Sequence, residues 1–208
     1  GRASMDERLG ATMAELPLVA ILRGLHPDQA LDIGAALVEA GFRILEVPLN
    51  SPRPFESIRL LADAFGGRAV VGAGTVVDPA DVARLQEAGG RLVVMPHTDP
   101  EVIRAAKAAD LACVPGVATP SEAFAALRAG ADALKLFPAD TLGPAVLKAW
   151  RAVLPADVAI LPVGGIEPAS MAERDSRFWP SASTRGRCSY INRSASPTPY
   201  RWIPTNTA

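Results

Sequence analysis

From Leu16 to about Pro168, short runs that are apolar almost throughout alternate with alanine-rich segments whose apolar residues recur at helical spacing. The runs are "LVAILRG" (18–24), "RILEVPL" (43–49), "AVVGAGTV" (69–76), "RLVVMPH" (91–97), "LACVPGVA" (111–118), "ALKLFPA" (133–139) and "VAILPVGGI" (158–166). They begin about 20 to 26 residues apart. Because the runs do not alternate apolar with polar, they read as parallel strands buried on both faces.

The segments between them carry helix punctuation. Asp78 before Pro79 and Asp99 before Pro100 each place a capping carboxylate ahead of a proline whose missing N–H costs the first turn nothing. Thr119, Pro120, Ser121 and Glu122 fit a capping box. Gly41, Gly89 and Gly130 stand where helices must end in a left-handed turn. In "PFESIRLLADAF", Phe55, Ile58, Ala62 and Phe65 share one face, the face expected on the sheet.

Repeated βα units fit an open doubly wound sheet or a closed barrel. No strand is followed by the G-x-G-x-x-G dinucleotide fingerprint, whereas Arg23, Glu46, Thr75, His97 and Lys135 recur at the C-terminal ends of strands. The expected fold is therefore an α/β (β/α)8 TIM barrel, over residues 5–170. After Pro168 the text becomes rich in Arg, Ser, Pro and Thr, and residues 171–208 read as an atypical tail in which the eighth βα unit is doubtful or irregular. The spacing places an eighth strand near residue 180, at "RFWPSAS", and a missing strand would leave two open edges. "GRAS" before Met5 reads as an expression scar.

Composition narrows the function classes. With 21% charged residues and a net charge of -1, no polyanion-binding surface for nucleic acid is expected. The longest apolar runs are too short to span a bilayer and the N-terminal residues lack a secretory core, so no membrane contact and a cytoplasmic location are expected. Cys113 and Cys188 suggest neither a disulfide framework nor a zinc site.

The chemistry concentrates at Lys135, flanked by Leu134, Leu136 and Phe137. Its stem could line the core while the head forms an ion pair with Glu46 or Asp140. Alternatively, desolvation favours the neutral amine, which attacks a carbonyl and forms a Schiff base. Lys107 and Lys148, in helical segments, are expected at solvated positions. Glu46, after Ile44 and Leu45, is the candidate acid/base, or else a carboxylate holding Arg23 or Lys135 in place. Arg23 offers a forked donor for a carboxylate or phosphate, unless it is a structural strand-end arginine. In "GAGT" the small residues allow close backbone approach and Thr75 offers a hydroxyl. Gly164 and Gly165, before a helix expected near Pro168, form a candidate phosphate cradle.

With these residues in view, the chain resembles the 2-keto-3-deoxy-6-phosphogluconate / 2-keto-3-deoxy-6-phosphogalactonate aldolase family over roughly residues 13 to 172. The likeness rests on "LVAILRG", "GFRILEVPLNSP", "VVGAGTV", "MPHTDPEVI", "CVPGVATPSEAFAALRAGADALKLFPA" and "LPVGGIEP". Pro48, Asn50 and Val163 resemble the phosphogalactonate branch. The resemblance implies a class I aldolase with Lys135 as the Schiff-base residue and Glu46 as general acid/base, often through a water. It also implies substrate contacts at Arg23, Thr75, Pro96, Phe137, Val163, Gly164 and Gly165. The products would be pyruvate and D-glyceraldehyde 3-phosphate in galactonate catabolism, with no metal, no dissociable cofactor and a homotrimeric assembly.

Two departures stand out. His97 occupies a position where close relatives often have another residue such as asparagine, although Pro96 before it matches, and the family's "G-x-G-S" phosphate motif on the eighth strand is absent from the tail. A shifted reading frame near Met171 would explain the loss of pattern; coding DNA in which no alternative frame restores a glycine-rich strand and an alanine-rich helix would dispose of that idea. Rival readings are a phosphogluconate aldolase, a metal-dependent aldolase or isomerase using Glu46 and His97, and an impaired homologue that only binds or assembles.

Overall fold

Each of the seven apolar runs contains a strand, and the helical segments fold between them as their caps dictate. The computed structural model describes residues 5–165 and 189–192. In chain order the elements are α1 (Met5–Glu15), β1 (Leu18–Ile21), α2 (Pro27–Glu39), β2 (Ile44–Pro48), α3 (Pro54–Phe65), β3 (Val70–Gly74), α4 (Ala80–Glu87) and β4 (Leu92–Val94). They continue with α5 (Pro100–Ala108), β5 (Ala112–Val114), β6 (Gly116–Val117), α6 (Pro120–Ala129), β7 (Ala133–Leu136), α7 (Ala139–Arg151), β8 (Ala159–Pro162) and β9 (Ser189–Asn192).

All strand pairs are parallel, in the orders β5-β4-β3-β2-β1-β9 and β6-β7-β8. β5 and β6 are one strand interrupted at Pro115. The Pro115 carbonyl still accepts from the Lys135 N–H at 2.8 Å, and the Cys113 carbonyl from the Asp132 N–H at 3.0 Å, so the two sheets run on as one curved wall. With β5 and β6 counted together, eight strand positions make the expected (β/α)8 TIM barrel.

The eighth position is filled in a way the sequence did not suggest. The strand sought at "RFWPSAS" lies outside the described residues, as do the helix expected near Pro168, Cys188 and residues 1–4. Ser189–Asn192 instead pairs with β1 in register from Leu18↔Ser189 to Ile21↔Asn192. The expected open edge at β1 is thus corrected: parallel pairing draws on backbone groups, which a short polar segment supplies as well as an apolar one.

Two separate cores follow from alternation along the strands. The outer core joins the sheet to the helices through residues such as Leu45, Val47, Ile58, Leu61 and Leu85. The inner core fills the barrel with the intervening residues, including Val19, Ile21, Ile44, Leu92 and Val94. Among the described residues, the only helical ones in the inner core are Leu9 and Met13 of α1. α1 ends just before β1 begins, so these side chains enter from the N-terminal end of the strands, opposite the mouth.

The punctuation behaves as read. Asp78 and Asp99 carboxylates accept from the N–H groups of Ala80 and Glu101, each at 2.8 Å, and Thr119 with Glu122 forms a complete capping box. Gly41, Gly89 and Gly130 have φ of 97°, 81° and 104°. The α3 face is rotated from expectation: Ser57, Ile58 and Leu61 are buried, while Phe55, Ala62 and Phe65 are half-buried. Phe65 turns toward α2 because Gly34 leaves room there; a Cβ on Gly34 would lie 2.6 Å from the Phe65 ring and 2.5 Å from Leu61.

Lys148 is exposed as expected, but Lys107 is not simply solvated. Its ammonium meets the Asp132 carboxylate at 2.6 Å, with side-chain exposures of 32% and 6%. Asp132 also accepts from the Cys113 N–H at 2.7 Å, tying α5, β5 and the entrance to β7 together. Burial, with Asp132 nearby, pushes the Cys113 thiol up to about 12, so this cysteine is a packing residue. Lys107→Met strands a buried carboxylate and is expected to destabilise the protein by about 2 kcal/mol, the lower side for a buried pair because the ammonium is partly hydrated. Urea unfolding should show a lower midpoint with an unchanged slope.

Candidate active site

Two charged side chains point into an otherwise apolar barrel. Glu46 stands on the inner face of β2, paired laterally with Ile21 and Gly72; Lys135 stands on the inner face of β7, between Gly116 and Leu161. Their exposures are 1% and 7%. Both line one cavity of about 20 Å³ with Val94, Val114, Leu161 and Val163. That is room for a single water.

Burial works on the two groups in opposite chemical directions and toward the same end. It raises the Glu46 carboxyl to about 7, while the charges of Lys135 and Arg23 pull it back. Burial likewise lowers the Lys135 ammonium, opposed by the Glu46 charge and assisted by Arg23. The Lys135 Nζ also lies 4.8 Å from the Phe137 ring centroid, a contact that favours the cation. Desolvation is the larger influence, and the pair is biased toward a neutral acid beside a neutral amine.

Neither group is tied down. Lys135 forms none of the ion pairs expected with Glu46 or Asp140, and Glu46 Oε2 has no hydrogen-bond partner among the described residues. Such atoms are free to engage a substrate. The carboxyl also depends on a neighbour that the sequence did not single out for it: a Cβ on Gly74 would fall on the Glu46 carboxyl group. The available signal was the spacing of Gly72 and Gly74, which share the inner face of β3. Gly74→Ala is expected to leave the fold intact while reducing kcat about 10²-fold, because a displacement near 1 Å suffices for such a loss. Circular dichroism and steady-state kinetics on the same sample check both halves.

The other sequence-selected residues surround the mouth. Arg23 is exposed just past β1, its Nη1 3.5 Å from Asn50 Oδ1, while Ser51 Oγ accepts from the Gly24 N–H at 3.1 Å. Residues 50 and 51 therefore hold the arginine's turn, a role that became visible only when the two loops met. Thr75 is half-buried with φ 57°, an uncommon conformation for a β-branched residue that places strain beside the cavity. Pro96 is half-buried beyond β4, packed by its carbonyl against Gly116, and His97 is exposed.

Val163 is buried and belongs to the inner core. Gly164 and Gly165 take φ of 97° and 63°, and the Gly164 carbonyl accepts from the Asp140 N–H at 3.1 Å. The Asp140 side chain stands against this turn, since a Cβ on Gly165 would meet it at 2.5 Å. Inside the barrel the structure thus assembles Glu46, Lys135 and Val163, with Phe137 against the amine. Arg23, Thr75, Pro96 and the glycine turn follow the strand ends. Among the described residues, no group of three or more His, Cys, Asp or Glu side chains is placed to hold a metal ion.

Residues 9–177 match the family model for KDPG and KHG aldolase. The chain is 48% identical over 159 residues to a 2-dehydro-3-deoxy-6-phosphogalactonate aldolase of Escherichia coli (strain K12), covering 76% of this chain and 78% of the relative. It is 33% identical over 156 residues to the KHG/KDPG aldolase of the same organism, covering 74% and 72%. Among solved structures, native KDPGal superposes with a TM-score of 0.80 at 43% identity, covering 88% of this chain and 87% of that one. A KDPG aldolase from Legionella pneumophila, with pyruvate captured as a covalent carbinolamine, superposes with a TM-score of 0.76 at 30% identity, covering 87% and 84%. The chain belongs to the KDPG and KHG aldolase family.

Proposed function

We propose that the protein is a class I aldolase cleaving 2-dehydro-3-deoxy-6-phosphogalactonate to pyruvate and D-glyceraldehyde 3-phosphate, with Lys135 as the amine and Glu46 as the proton carrier. The observation that carries this reading is the Lys135 amine, buried without an ion-pair partner among the described residues and next to a carboxyl group raised toward neutrality. The neutral amine adds to the C2 carbonyl, and loss of water gives an iminium. A base removes the C4 hydroxyl proton, the C3–C4 bond electrons move into the iminium, and the aldehyde departs. Reprotonation of the enamine at C3 and hydrolysis then release pyruvate and restore the amine. Glu46, titrating near 7, can accept and return these protons at neutral pH.

Arg23 supplies the fixed cation for one end of the substrate, and Thr75, Pro96, Phe137 and Val163 shape its path. The Gly164–Gly165 turn offers backbone N–H groups to the other end. The 48% and 33% identities to relatives of the two kinds support the galacto over the gluco epimer. A homotrimer is part of the reading, and light scattering of the purified protein checks it. A cytoplasmic location also belongs to it; among the described residues no helix is long and apolar enough to cross a membrane.

Borohydride reduction in the presence of pyruvate tests the chemistry: a stable adduct mapped to Lys135 is expected, and no adduct, or one elsewhere, refutes the assignment. Comparing kcat/KM for the two C4 epimers tests the substrate. A higher value for the gluco epimer reverses the preference.

A further inference from the structure

The chamber containing Lys135 and Glu46 has a floor that the strands do not provide. Beneath Lys135 the wall is small: Ala133 lies two residues earlier on the same strand, paired with Ala159 on β8, and Ala112 opens β5. Leu9 and Met13, one turn apart on α1, fill this end of the barrel and line the same cavity as Glu46 and Lys135. Both are buried, and among the described residues the carboxyl and amine are the only polar side-chain groups in the lining.

We propose that Leu9 and Met13 are positioning residues for the reaction, with α1 acting as a stopper that bars water from the N-terminal end of the barrel and keeps Lys135 available as a free amine. The proposal rests on the reading of Lys135 as the imine-forming residue. The charges acting on Lys135 are Glu46 from β2 and Arg23 from the loop after β1, with the Phe137 ring facing it from just past the end of β7. The neighbouring strands pair Gly116 and Leu161 with it, neither titratable. On α1, Arg8 bonds to the Gly66 carbonyl and Glu15 pairs with Arg43, so these charges are engaged elsewhere. The side that α1 turns to the amine is hydrocarbon. Admitting water there would solvate the ammonium and favour it over the amine.

The test is the pH dependence of the rate at which borohydride traps the pyruvate imine. Leu9→Ala and Met13→Ala should move the ascending limb to higher pH by about half a unit or more, a roughly threefold loss of rate below the midpoint. Met13→Leu, which keeps the hydrocarbon, should restore the wild-type limb. Leu85→Ala, a truncation in the outer core, should lower Tm and leave the limb in place. If alanine at either floor position prevents folding, Leu9→Val makes the same comparison with a smaller opening. An unmoved limb in folded floor variants, or an equal movement in Leu85→Ala, overturns the proposal. A wild type that traps no pyruvate overturns the imine reading and this proposal together; trapping with an unmoved limb overturns this proposal alone.

Discussion

Lys135→Met is expected to reduce kcat by roughly 10⁴-fold or more while leaving the protein at least as stable as the wild type at pH 6. The first half follows from losing the covalent intermediate: without an iminium to accept the C3–C4 electrons, the remaining groups bind the substrate but cannot open the route. The second half follows from burial. Lys135 has its ammonium disfavoured in the folded state, so the unfolded chain, where the ordinary value near 10.5 applies, binds that proton more tightly. The penalty is complete below the lowered folded-state value, shrinks as the pH rises from there and is gone above 10.5, and methionine removes it with a side chain of similar length. At pH 6 Glu46 is mainly protonated and needs no counter-charge once the lysine is gone. Kinetics and a thermal melt on one preparation are sufficient. Activity within tenfold of wild type would assign the chemistry elsewhere, and a large drop in Tm would mean that the amine supports the fold.

Glu46→Gln should cost about 10² to 10⁴ in kcat, the usual range for removing a general acid/base. Pyruvate should still be trapped on Lys135, though more slowly, which separates proton transfer from imine formation. The same substitution has a signed effect on stability. A carboxyl raised from 4.5 to about 7 on folding carries no penalty below pH 4.5, where both states are protonated. Between pH 4.5 and 7 the unfolded chain releases its proton first, so stability falls, and above 7 the penalty is complete. Glutamine does not titrate. Relative to wild type, the variant should therefore gain stability as pH rises from 4.5 to 8, by on the order of 3 kcal/mol. Equal differences at the two ends of that range in urea unfolding would show that burial does not hold the carboxyl up.

The strands were readable because both of their faces are covered by different apolar neighbours, one set inside the barrel and one beneath the helices. An uninterrupted run such as Ile44–Pro48 is the sequence trace of that arrangement, and a charge within it stands out for the same reason. The helix starts at Asp99 and Thr119 were readable because capping is local. What escaped depends on residues far apart in the chain. Lys107 and Asp132 are 25 positions apart, and their pairing exists only once α5 packs beside the start of β7. α1 has few apolar anchors among polar neighbours in "MDERLGATMAE", so its role in the barrel is invisible until the alanines it covers are in place. β9 was missed because its signal is a backbone partner rather than a pattern. On α3, simple periodicity placed Phe65 on the sheet, whereas the gap at Gly34 drew it to α2.

The division between a helix-facing core and a strand-enclosed one bears on how this scaffold could be redesigned. The proposed catalytic pair, Glu46 and Lys135, occupies the smaller compartment, whereas most of the large apolar side chains that hold the fold sit in the other. Trading volume between inward positions such as Val94 and Leu161, which line the same cavity, is expected to alter the aldehydes accepted while leaving the helical jacket untouched. Libraries confined to those inward sites should therefore retain expression better than libraries of equal size drawn from the helix interfaces.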